Sequence, residues 1–77
     1  MSEEVRELDV KGLNCPMPLL KAKKALNEMA EAEHLRVFAT DPGSMRDFEV
    51  FARQSGNTLL EAAENDGVFT YLLKKKA

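Results

Sequence analysis

The chain has 77 residues, 44% of them hydrophobic and 31% charged, with one cysteine and a formal net charge of −2. That length holds one small domain, 1–77, and the composition excludes disorder, a bilayer-spanning run of about 20 apolar residues and the basic balance of a dedicated nucleic-acid binder. One cysteine excludes an internal disulfide and an all-cysteine metal site, which suits a reducing cytoplasm.

The polar start Met1-Ser2-Glu3-Glu4 carries no secretory signal. Val5 to Val10 alternates as a strand with Leu8 and Val10 on one face. The turn Lys11-Gly12-Leu13-Asn14 leads to Cys15-Pro16-Met17-Pro18. From Pro16 to about Glu31 the spacing of Leu19, Ala22, Leu26 and Met29 predicts a helix, with Lys21, Lys24, Glu28 and Glu31 on its other face. Pro16 suits the first helical position, where no N–H is required. Leu35 to Thr40 reads as a strand with Leu35, Val37 and Ala39 on one side. Asp41-Pro42-Gly43-Ser44 then turns the chain into a second helix, with Ser44 and Asp47 spaced as a capping box. Met45, Phe48, Phe51 and Ala52 form its buried stripe, and Gly56 ends it. Two strands, Asn57 to Glu64 and Val68 to about Lys74, close on Asn65-Asp66-Gly67, a strong hairpin signal.

This order predicts an α/β (α+β) two-layer sandwich, β-α-β-α-β-β. Two helices cover one face of a four-stranded mixed sheet that starts parallel and ends in an antiparallel hairpin. The other sheet face is left largely to water.

The chemistry falls to Cys15. Pro16 biases the preceding residue toward extended dihedrals, which places Cys15 at or beside the N-cap of the first helix. The positive end of a helix dipole favours a thiolate there. Pro16 and Pro18 remove two first-turn donors, leaving the Met17 N–H nearest. The expectation is therefore a moderately depressed thiol pKa, assisted by Lys21, Lys23 and Lys24, on a sulfur that the prolines hold outward. With no second cysteine, such a thiol acts only on another molecule.

The segments Leu8-Asp9, Gly12-Leu13-Asn14-Cys15-Pro16-Met17-Pro18, Lys21, Ala39-Thr40-Asp41-Pro42-Gly43, Asp47, Phe51 and Gly56-Asn57-Thr58-Leu59 resemble, in order and at family spacing, the TusA (SirA-like, YhhP-like) sulfur carriers. The resemblance implies the same sandwich fold and a persulfide relay in the cytoplasm. Cys15 would accept sulfane sulfur from a cysteine desulfurase or rhodanese-type donor. It would pass the sulfur to a DsrE-type or other acceptor serving tRNA thiolation, cofactor assembly or sulfur oxidation. No metal and no organic cofactor is implied. The protein would be a sulfurtransferase acting as a carrier, a monomer in brief complexes with its protein partners, without direct contact to nucleic acid or membrane.

Around Cys15, Pro16, Met17, Pro18 and Lys21 are the supporting residues, Met17 either as an apolar rim or as packing. Lys23, Lys24, Asp41 and Arg46 are candidates for partner contact, against the plainer roles of solvated helix face and turn residue. Asp47 reads as a cap. His34 has no convergent ligand set around it in the sequence, and Lys74-Lys75-Lys76 reads as a solubilising end. The alternative function is a regulatory interaction module in which Cys15 is structural or redox-sensing.

Overall fold

Leu35, Val37 and Ala39 are fully buried, while Arg36 and Phe38 between them are only partly so. This is the period-two pattern of a strand packed on one face. A computed structural model describes residues 5–76, so the polar start 1–4 and the secretory-signal reading made on it lie outside the described residues. The elements are β1 (Val5–Asp9), α1 (Met17–Asn27), β2 (His34–Ala39), α2 (Ser44–Ser55), β3 (Thr58–Asn65) and β4 (Val68–Lys74). They form a four-stranded sheet in the order β1-β2-β4-β3. β1 runs parallel to β2, with Leu8 opposite Val37. β4 runs antiparallel to both its neighbours, with Tyr71 opposite Val37 and Ala62. The α+β sandwich is as expected.

The core forms where the helices meet the sheet. Ala22, Ala25 and Leu26 of α1 and Phe48 of α2 pack with Leu35, Val37, Ala39, Tyr71 and Leu73. Phe48 stacks on Tyr71 with ring centroids 4.5 Å apart, a contact worth about 0.5–1.5 kcal/mol beyond the area it buries. The buried hydroxyls of Ser44 and Tyr71 share a hydrogen bond of 2.5 Å. Gly56 closes α2 at φ 86°, its N–H donating to Ala52 O. Asp66 and Gly67, at φ 59° and 84°, make the β3–β4 turn that Asp-Gly predicts.

Three local expectations are corrected. α1 ends at Asn27 rather than near Glu31, because the Glu28 and Met29 amides donate to Ala25 O and Leu26 O, three residues back. The capping box does not form. Gly43 is the N-cap of α2 without a side-chain cap bond, Ser44 lies inside the helix bonded to Tyr71, and Asp47 serves elsewhere. The lysine end is structural. Lys75 Nζ donates to Leu26 O at 2.6 Å and Lys76 Nζ to Ser55 O at 3.2 Å, so each caps the C-terminal end of one helix.

Candidate functional site

Cys15 lies in the segment that carries the chain from β1 into α1. The Val10 N–H donates to Phe38 O and the Gly12 N–H to Thr40 Oγ1 at 2.9 Å, which ties the segment to the end of β2. The Met17 N–H donates to Asn14 O at 2.8 Å, closing a turn around the cysteine. The Cys15-Pro16 peptide is cis. Pro16, at φ −97° and ψ 13°, is the N-cap, and Met17 begins the helix. The expected first helical position of Pro16 is thus corrected by one residue, and Cys15 stands just ahead of the cap. Pro16 is exposed, whereas Pro18 is fully buried and packs into the interior.

The thiol is exposed. Its Sγ donates to Asp47 Oδ2 at 3.1 Å, the carboxylate coming from the first turn of α2. Asp41, in the β2–α2 turn, accepts the Gly43 N–H on Oδ1 and the Ser44 N–H on its main-chain oxygen, while its Oδ2 is buried with no hydrogen-bond partner among the described residues. One donor atom from each of Cys15, Asp41 and Asp47 fits within 4.8 Å of the others. Three such atoms are one short of a tetrahedral metal set, and the thiol already engages one of the carboxylates.

The electrostatics are the reverse of those expected. The hydrogen bond to Asp47 holds the Cys15 thiol above its ordinary pKa. Desolvation and then the charges of Asp47 and Asp41 push in the same direction. The physical reason is local: of the three residues after Cys15, two have no N–H and the third has given its own to Asn14. The lysines turn elsewhere. Lys21 and Lys24 line a groove with Arg6, Leu8 and Glu28 on the β1 side of the helix. Lys23 Nζ stands 5.6 Å from the Phe51 ring centroid, a cation–π contact at the opposite groove. The expected lysine assistance is withdrawn, and the thiol, held above its ordinary pKa, stands beside Asp47 and Asp41.

The other candidates divide by position. Met17 is 41% exposed and Leu20 47% exposed, so the packing alternative for Met17 is corrected. Arg46 is exposed on α2 next to Asp47. Asp41 is a turn residue and also one of the two charges on the thiol. Asp47 is the site residue that spacing missed. It lies 32 positions from Cys15, where no local pattern joins the two.

The family model described as "Sulfurtransferase TusA" matches residues 6–75. The chain is 53% identical over 75 residues to the sulfur carrier protein TusA of Allochromatium vinosum, covering 97% of this chain and 99% of that one. It is 40% identical over 70 residues to the TusA of Pseudomonas putida, covering 91% and 88%. The crystal structure of a SirA-like protein from Desulfitobacterium hafniense superposes with a TM-score of 0.81 at 29% identity, over 96% of this chain and all of that one.

Proposed function

This chain belongs to the TusA family of sulfur carrier proteins, and on that footing we propose that Cys15 carries sulfane sulfur as a persulfide, Cys–S–SH, within one carrier domain spanning 1–77. The observation that carries this reading is the exposure of the chain's single thiol at the head of α1, where a partner reaches it. Loading forms a bond from Cys15 Sγ to the outer sulfur of a donor persulfide on a cysteine desulfurase or rhodanese-type protein. Delivery breaks that bond in favour of a thiol on a DsrE-type or other acceptor. The sulfur would be destined for tRNA thiolation, cofactor assembly or sulfur oxidation in the cytoplasm. With no resolving cysteine on the chain, the cargo cannot be lost to an internal disulfide. The exposed Met17 and Leu20 offer an apolar edge, and Arg46 a charge, to whichever protein docks over the thiol.

The acidic surroundings change how the carrier works. Asp47 and Asp41 favour the protonated thiol, so loading has to take a proton off Cys15. The test is incubation with a cysteine desulfurase and free cysteine, read by intact mass. A gain of one sulfur on wild type, absent in Cys15→Ser, supports the carrier. No gain from desulfurase or rhodanese donors overturns it.

A further inference from the structure

A neutral thiol attacks poorly, since the thiolate is the nucleophile in sulfur exchange. A thiol of high pKa is also a poor leaving group when its bond to sulfur must break. Both difficulties lie in one proton, and the structure places a proton acceptor against it. Asp47 Oδ2 accepts the hydrogen bond from Cys15 Sγ at 3.1 Å. Its backbone is fixed in the first turn of α2, the Asp47 N–H donating to Gly43 O, and its side chain is half-buried. The charged groups acting on Cys15 are Asp47 and Asp41. Asp41 engages the turn through Oδ1, and Asp47 alone among the described residues is hydrogen-bonded to the sulfur. Arg46 lies beside Asp47 in sequence and is exposed.

The geometry points to Asp47 as the proton relay of the sulfur transfer at Cys15, a role that rests on the carrier reading above. In loading, the Cys15 S–H gives its proton to Asp47 Oδ2 as the sulfur lone pair forms a bond to the outer sulfur of R–S–SH. The donor's S–S bond breaks, its electron pair goes to R–S⁻, and Asp47 hands the proton to that thiolate. The products are Cys15–S–SH, R–SH and the regenerated carboxylate. The sulfane sulfur keeps its oxidation level, so no oxidant or reductant enters. Delivery is the same sequence in reverse roles. The acceptor thiol gives its proton to Asp47 while attacking the outer sulfur, and Asp47 protonates Cys15 Sγ as it departs.

Proton relay and simple electrostatic suppression predict opposite signs, which makes the role testable. Wild type, Asp47→Asn and Asp47→Glu would be loaded from glutathione persulfide at pH 7, a small donor needing no protein docking surface. Sulfur gain would be timed by intact mass, with iodoacetamide alkylation run in parallel and folding checked by far-UV circular dichroism. Removing the charge frees the thiolate, so D47N alkylates faster than wild type. Removing the base slows sulfur uptake by roughly tenfold or more, and D47E, which keeps a carboxylate, recovers part of the loss. Asp41→Asn, lacking only a charge, speeds both reactions.

Uptake by D47N that equals or exceeds wild type overturns the relay and leaves the carrier reading standing. Equal slowing by D41N overturns the assignment to Asp47. Wild type that takes no sulfur from glutathione persulfide overturns the relay, while the carrier reading is decided by the desulfurase and rhodanese donors above.

Discussion

Cys15 and Asp47 lie 32 residues apart in the chain and 3.1 Å apart in space, and that contact sets the resting state of the thiol. Its first consequence is a pH profile. Asp47 and Asp41 hold the proton on sulfur, so alkylation of the folded protein at neutral pH is slower than that of the same chain unfolded in urea. The folded rate is still climbing with pH where the unfolded one has levelled. The check is iodoacetamide labelling across pH 6–10, followed by mass. A folded rate above the unfolded one at pH 7 refutes the acidic site.

The buried hydroxyl pair gives a second prediction. Ser44 and Tyr71 satisfy each other in the interior, so Ser44→Ala or Tyr71→Phe strands the remaining hydroxyl at a cost of about 1–3 kcal/mol. The double variant costs less than the sum, since no orphaned group is left. Urea denaturation of the four proteins measures the coupling, and strict additivity contradicts it.

Tyr71 gives a third. Burial, first among its causes, raises its phenol above the ordinary value, as do the charges of Asp41, Asp47 and Glu49, against a lowering by the bond from Ser44. The folded state therefore keeps a proton that the unfolded chain releases near pH 10. From this group stability is level below about pH 10 and falls above it. As the only tyrosine, its phenolate absorbance reports directly. The expected result is phenolate appearing together with loss of the fold, not ahead of it.

A fourth concerns the helix ends. Lys75→Ala removes a half-buried bond to Leu26 O and costs about 1 kcal/mol, while Lys76→Ala removes an exposed one and costs less than about 0.5 kcal/mol. The two act on different helices and add within error. Shifts in the urea midpoint at constant slope are the measurement. Two unshifted midpoints return these lysines to a solubilising role.

Much of the scaffold was legible because local chemistry decides it. Asp66-Gly67 needs positive φ at both positions, Gly56 suits a left-handed helix end, and the alternation through Leu35, Val37 and Ala39 survives as a buried face. Where a long-range partner intervened, pattern reading failed. Ser44 was drawn from its capping role by Tyr71, and Lys75 meets the end of α1 from 49 positions away. Exposure of Cys15 followed from its place before a helix-opening proline. Its charge environment did not, because the groups that set it come from α2 and the turn before it. The lysines of α1 misled through their nearness in sequence. A helix turns its face every residue, and Lys23 ends over Phe51 while Lys21 and Lys24 border β1.

The strand order carries a consequence for synthesis. β4 lies between β2 and β3, so the strand that joins the two halves of the sheet leaves the ribosome after everything it joins. A nascent chain that has delivered β1, α1, β2, α2 and β3 still lacks its central hydrogen-bonding partner. Translation must pass β4 before the native sheet exists, and a message truncated before Val68 would yield a β1–β2 pair and an unpaired β3 rather than a weakened carrier.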